Sequence, residues 1–218
     1  NICIAGTGIW YPDNCVTNEE IVTSFNSFVD DFNRKNSDKI TNGLISPLEH
    51  STTAFIEKAS GIKTRYVIDK ENILDVNKMM PLVLQEDASR ISLHAEVGIK
   101  AAKKAMEQAE ILPKDIDAVI LGTSHAARNY PSLAIEIQNE LGIKGYAYDM
   151  LVGCSSTTFA INNAFSDIAS GLANTILVIN PEISTPALNF KERDKHFIFG
   201  DGCVATVVKK DSNSKNSF

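Results

Sequence analysis

Tyr148-Asp149-Met150-Leu151-Val152-Gly153-Cys154-Ser155-Ser156-Thr157-Thr158-Phe159-Ala160-Ile161 reads as a strand that ends in a tight Gly-Cys turn and opens at once into a mostly apolar helix. A strand handed to a helix through so short a turn is the repeating unit of layered α/β domains. The same arrangement sets one thiol at a helix N-terminus. Unpaired backbone N–H groups and the positive end of the helix dipole meet there and favour thiolate over thiol. Cys154 is on that ground a candidate nucleophile. The competing reading of the same residue is a small Cys packed into a tight corner.

Working outward from this turn, strands and helices alternate. Ala118 to Thr123 is a buried-strand run, Pro131 suits the first turn of a helix over 132–141, the helix after Cys154 runs to about Ser170, and Thr175 to Asn180 is a further strand. Phe197-Ile198-Phe199 and the segment Cys203 to Val208 flank Gly200-Asp201-Gly202. Upstream, residues 1–8 form a first strand and turn. Thr17-Asn18-Glu19-Glu20 has the capping-box pattern, and Ile21, Val22, Phe25, Phe28, Val29 and Phe32 follow at helical spacing as a packing stripe. Residues 33–50 are polar and read as a surface insertion. A helix over 51–59 stops at Ser60-Gly61, 62–69 is extended, 70–86 is an irregular loop with a turn at Pro81, and 87–109 is a helix with a stripe of small residues. The pattern predicts an α/β domain over 1–208 with a sheet that is at least partly parallel. Residues 209–218, rich in Lys, Ser and Asn, read as a disordered tail or linker.

Composition narrows the function classes. The chain has 218 residues, 44% hydrophobic and 22% charged, with a formal net charge of −6. Such a chain buries a full core, and without a basic cluster it offers no electrostatic footprint for nucleic acid. Its apolar runs are far shorter than the roughly 20 residues of a membrane span, and no secretory signal pattern opens it, so a cytoplasmic location is expected. Cys3, Cys15, Cys154 and Cys203 lie far apart with no C-x-x-C pair, which argues against a zinc site or a disulfide framework. Gly6-Thr7-Gly8 lacks the rest of a phosphate loop. Neither metal nor cofactor is expected.

A Cys nucleophile of the protease type needs a His base, and spacing puts none of His50, His94, His125 or His196 beside Cys154. His94 falls within a helix beside Ile91 and Ala95 and reads as structural. His125 follows the strand at 118–123, at the end where α/β sites gather. His50 lies in a polar loop and reads as solvated; His196 stays open.

Four short motifs surround Cys154 in order: Ser60-Gly61-Ile62-Lys63-Thr64-Arg65, Asn129-Tyr130-Pro131-Ser132, the Cys turn itself, and Phe199-Gly200-Asp201-Gly202. Together they resemble the β-ketoacyl-[acyl-carrier-protein] synthase III family of thiolase-like condensing enzymes, with agreement of order and spacing across nearly the whole chain. The resemblance implies the first of two similarly folded halves, the C-terminal half being absent: a single layered α-β-α half with a mixed five-stranded sheet.

What the resemblance implies can be placed residue by residue. Cys154 would accept the acyl group of a thioester donor, acyl-CoA or acyl-carrier protein, with the backbone N–H at the Cys helping to hold the oxyanion. Malonyl-[acyl-carrier-protein] would then be decarboxylated, and its carbanion would attack the acyl-Cys to give a 3-oxoacyl product of fatty acid biosynthesis. The His and Asn that act on the malonyl group lie in the second half of family members; no His here matches, and the chain alone is expected to lack condensing activity. Tyr130 matches an aromatic inserted across a homodimer into the partner's acyl pocket, with ordinary packing before Pro131 as the alternative. Arg193 matches an Arg that contacts the donor's adenine; a solvated Arg in the charged run 191–195 is the alternative.

The departures bear on substrate. Where the family commonly places a Trp and an Arg that sandwich the adenine, this chain has Phe55 and Ala59. A weaker hold on CoA follows, which leaves room for another donor. Polar Ser155-Ser156-Thr157 after the Cys bears on the acyl pocket, and donor, chain length and pathway stay open. The same fold also fits a hydroxymethylglutaryl-type or polyketide-type synthase half, and a non-catalytic dimerisation module is the reading from another class.

Overall fold

A computed structural model of the chain describes residues 1–82, 90–126, 128 and 130–210. They fall into two compact units. One comprises residues 1–11, the described part of 85–183, and 202–210; the other comprises 12–82 and 184–201.

The first unit is built on a five-stranded mixed sheet in the order β1-β7-β6-β4-β5. The strands are β1 (Ile2–Trp10), β4 (Ala118–Gly122), β5 (Tyr146–Met150), β6 (Thr175–Ile183) and β7 (Asp201–Lys210). β4 pairs in parallel with both β5 and β6, whereas β1 and β7 are antiparallel. Side chains alternate across the central strands. Ala118, Ile120, Ile176 and Val178 meet Ala160, Ala164 and Ile168 of α7 (Ser156–Ala169). The opposite face is covered by α5 (Leu93–Gln108) and α6 (Leu133–Leu141). There a Cβ at Gly98 would stand 2.6 Å from Ile137 Cδ1 and 3.3 Å from Ile179 Cγ2. Two helical layers enclosing one sheet is the expected α-β-α arrangement.

Both ends of the sheet refine the sequence reading. Lys209 and Lys210, assigned to the tail, lie in β7 opposite Cys3 and Ile2; residues 211–218 fall outside the described residues. β6 continues three residues past Asn180 to Ile183.

The second unit has a two-stranded antiparallel sheet, β2 (Cys15–Thr17) with β3 (Thr64–Tyr66), and four helices: α1 (Asn18–Lys35), α2 (Ser37–Thr41), α3 (Thr53–Ser60) and α4 (Lys70–Leu74). Thr17 and Glu20 form the reciprocal capping box, Thr17 N–H to Glu20 Oε2 at 2.9 Å and Glu20 N–H to Thr17 Oγ1 at 3.2 Å. Ile21, Phe25 and Val29 enter a core with Val16, Ile56, Val67, Ile73, Phe190 and Phe197. α1 runs to Lys35 and α2 follows, so the insertion at 33–50 is partly helical. Ion pairs of Asp31 with Arg34 and Lys35 carry α1 past its last apolar residue. Gly61 closes α3 in the left-handed region at φ 73°, as its sequence predicts. Only Thr64–Tyr66 of the extended segment is strand, and α4 occupies the start of the predicted loop, capped by Asp69. The helix predicted over 87–109 begins at Leu93, capped by Ser92; residues 83–89 lie outside the described set.

Candidate active site

β5 ends at Met150, and the chain turns through one 3₁₀ turn, Gly153–Ser155, into α7. Gly153 takes φ 60°, a conformation glycine adopts without Cβ strain. Cys154 is exposed in this turn, while Cys3 and Cys203 are buried and Cys15 is partly so. Burial pushes the Cys203 thiol up to about 12. The first-turn N–H groups of α7 have no intrahelical acceptors, and Ser155 supplies no side-chain cap. Exposed Cys154 thus lies just before the N-terminus of α7, whose dipole favours an anion, although the Ser156 N–H is already taken by Gly153 O.

One hydroxyl ties this turn together. Ser156 Oγ accepts the N–H of Val152 at 3.1 Å and shares its proton between Gly153 O at 2.8 Å and Thr123 O at 3.1 Å. Thr123 Oγ1 donates to Pro181 O at 2.7 Å, and Glu182 Oε1 accepts the N–H of Ser124 at 2.8 Å. In the sequence Ser156 stands out only as a polar residue after the Cys. The available signal is the run of hydroxyl residues Ser155-Ser156-Thr157 at the start of the helix.

The segment after β4 brings His125 and Tyr130 into the same unit. His125 is exposed just beyond the strand end, with its N–H and C=O near Thr123 Oγ1. Tyr130 is 87% exposed; Asn129 of its motif lies outside the described residues. Two carboxylates anchor this segment. Asp149 receives the N–H groups of Leu133 and Ala134 at 2.7 and 2.8 Å. Glu136 faces Arg128 Nε at 2.8 Å and accepts the N–H of Ser92 at 2.8 Å. Neither acid was singled out from the sequence.

Phe55 and Arg193 meet in the second unit. The guanidinium carbon of Arg193 lies 4.1 Å from the Phe55 ring centroid, Nε donates to His50 O at 2.9 Å, and Phe55 meets Phe197 edge-on at 5.8 Å. Arg193 is thus not merely solvated. The His50 ring is exposed and pairs with Asp30 at 2.7 Å. His94 is buried on α5. His196 is 1% exposed, stacks on Phe25 at 4.7 Å, and contacts Glu192 O through Nδ1 at 2.9 Å, so it belongs to the core of this unit. The outer motifs also converge here. Arg65 binds Asn18 Oδ1, and Asp201 accepts from Ile68 N–H, Thr185 N–H and the Thr185 hydroxyl. A Cβ at Gly200 would come within 2.6 Å of Tyr66 O. Through these bonds Asp201 makes the Gly-Asp-Gly turn a structural brace. Among the described residues no group of three His, Cys, Asp or Glu is placed to hold a metal.

Comparison with known proteins matches residues 148–218 to the family model described as 3-oxoacyl-[acyl-carrier-protein (ACP)] synthase III. A β-ketodecanoyl-[acyl-carrier-protein] synthase of Pseudomonas aeruginosa is 46% identical over 187 residues, 86% of this chain and 53% of the relative. A β-ketoacyl-[acyl-carrier-protein] synthase III of Brucella anthropi is 41% identical over 125 residues, 57% of this chain and 38% of the relative. The crystal structure of 3-oxoacyl-[acyl-carrier-protein] synthase III from Aquifex aeolicus superposes with a TM-score of 0.72 at 27% identity, covering 98% of this chain and 55% of that one. The chain spans about half the length of the P. aeruginosa and A. aeolicus proteins.

Proposed function

We propose that this chain, which belongs to the β-ketoacyl-[acyl-carrier-protein] synthase III family, is the nucleophile-bearing, N-terminal half of a decarboxylative condensing acyltransferase, with Cys154 as the residue that takes the acyl group. The observation that carries the reading is an exposed thiol in the turn between β5 and the uncapped N-terminus of α7. Cys154 thiolate attacks the thioester carbonyl, the oxyanion meets backbone N–H groups, and the donor's thiolate leaves and takes up a proton. In the second step the bond from the malonyl Cα to its carboxylate breaks, carbon dioxide departs, and the electron pair forms the bond to the acyl carbon as Cys154 thiolate leaves. Thioesters carry their own activation, so the sequence of steps draws on no cofactor.

The donor we assign is an acyl thioester of medium length, and malonyl-[acyl-carrier-protein] is its condensing partner. Support comes from the P. aeruginosa relative, whose name specifies a 3-oxo product of ten carbons; two of those come from the malonyl unit. Phe55 and Arg193 are assigned to the donor's adenine and Tyr130 to a partner subunit's acyl pocket. A homodimer is supported by β5 being an outer strand of the sheet and by exposed Tyr130, Leu151, Val152 and Phe159 in the same unit. Free thiols fit a cytoplasmic enzyme, and among the described residues no helix is long and apolar enough to cross a membrane.

The test is to mix the full-length protein with octanoyl-CoA and, separately, octanoyl-carrier protein, then map the modified peptides by mass spectrometry. The acyl mass is expected on the Cys154 peptide and lost in Cys154→Ala. No acyl gain from either donor would sink the proposal.

A further inference from the structure

We infer that Ser156 is a positioning residue for the nucleophile, its hydroxyl fixing the chain on both sides of Cys154. This rests on the reading of Cys154 as the acylated thiol. Neither Val152 before the 3₁₀ turn nor Ser155 before α7 caps with its side chain. The polar side-chain anchor of the turn is Ser156 Oγ, which takes the N–H of Val152 and donates towards Gly153 O and Thr123 O.

The hydroxyl's proton and one of its two lone pairs are engaged. A serine hydroxyl has one proton and two lone pairs; here it accepts once and divides its proton between two carbonyls. The residue is 2% exposed, so water is poorly placed to substitute for the hydroxyl. The reference frame is rigid as well. Thr123 is fastened to β6 through Pro181 O. Its neighbour Ser124 is held by Glu182, through N–H at 2.8 Å and the hydroxyl at 3.3 Å. On the other side, a Cβ at Gly122 would lie 2.8 Å from Ser156 O, so β4 backs directly onto the first residue of α7. The hydroxyl therefore refers the position of Sγ, two residues away, to β4 and β6. Misplacing a reacting atom by about 1 Å costs on the order of 100-fold in rate.

Two measurements decide the matter in the full-length protein. In the wild type, hydrogen exchange should find the Val152 amide protected although its side chain is exposed; exchange as fast as in an open turn would overturn the inference without any variant. In Ser156→Ala, alkylation of Cys154 by iodoacetamide at pH 7 should change at least 5-fold, while buried Cys3 and Cys203 stay unmodified and so report an intact fold. Turnover should fall about 10-fold or more with KM for the acyl donor within 2-fold, a split that general loosening would not give. Wild-type alkylation and turnover in the variant would refute the role of Ser156 and leave Cys154 as the nucleophile. Absence of acylation in the wild type would instead remove the functional reading, and the exchange and alkylation results would still judge the hydroxyl.

Discussion

Asp149 Oδ2, on β5, accepts the backbone N–H of Leu133, the first residue of α6, at 2.7 Å. With Oδ1 on the N–H of Ala134, one carboxylate joins the strand that leads to Cys154 to the helix that follows Tyr130. An anion at a helix N-terminus is electrostatically favoured. Burial nevertheless raises the Asp149 pKa; the two N–H groups pull it down, and the Glu136 charge pushes it further up.

The pH dependence of Asp149 follows from that direction. With the folded pKa above the unfolded value, the native state binds more protons, so this residue's contribution is fully present below about 3.8 and is lost as pH rises through the folded pKa. Relative to wild type, Asp149→Asn should gain stability as pH climbs through that window. Urea unfolding from pH 3.5 to 7 checks it, and a constant difference between the two proteins would contradict the direction.

Arg128 is the cation for Glu136, whose side chain is only 8% exposed against 20% for Arg128. Arg128→Ala strands a buried carboxylate and should cost about 3 kcal/mol, the lower end for a broken buried pair because the guanidinium reaches solvent. Adding Glu136→Gln keeps an acceptor for Ser92 N–H and should recover more than half of the loss. Urea midpoints of the single and double variants give the comparison; equal stability of Arg128→Ala and wild type would remove the role assigned to the pair.

These two carboxylates also show where sequence reading stops. The strand, Gly-Cys turn and helix around Cys154 were legible because a short apolar run, a glycine and a small-residue helix start are all local signals. So were α3 with Gly61 and the Thr17–Glu20 capping box. Ser156, Asp149 and Glu136 act on Thr123, Leu133 and Ser92, partners far off in sequence that only the fold supplies. Strand order is long-range for the same reason. Lys209 and Lys210 looked like a tail because their side chains are polar, yet strand pairing is made by the backbone, opposite Cys3 and Ile2. α2 and α4 were missed because neither short segment shows a full apolar stripe.

His196 carries the opposite pH signature to Asp149. Burial against Phe25 and Phe197, with Arg65 and Arg193 nearby, lowers its pKa, although the carbonyl of Glu192 and a backbone bond to Arg193 pull it upward. The native state holds the ring neutral. Its contribution is present above about 6.5 and declines as pH falls from there towards the lowered folded value. His196→Phe keeps a stacking ring but has no proton to take up, so its stability should fall less than wild type between pH 7 and 5. Parallel thermal unfolding curves would show that protonation of this ring is not coupled to folding.

Arg193 lies over one face of the Phe55 ring, a face on which a purine gripped by this pair would stack. A CoA donor must then either displace the guanidinium from the ring or stack outside it, and in both cases Arg193 contributes cation–π and ionic contact to the bound state. Such contacts are worth about 0.5–2 kcal/mol, which corresponds to roughly a 2- to 30-fold change in affinity. Arg193→Ala should therefore raise KM for octanoyl-CoA within that range and leave kcat unchanged, because the contact is remote from the carbon that reacts. With octanoyl-carrier protein, which has no adenine, the same substitution should have little effect. Steady-state kinetics of the full-length protein with both donors separates the cases: equal KM for octanoyl-CoA in variant and wild type would take Arg193 out of the donor site.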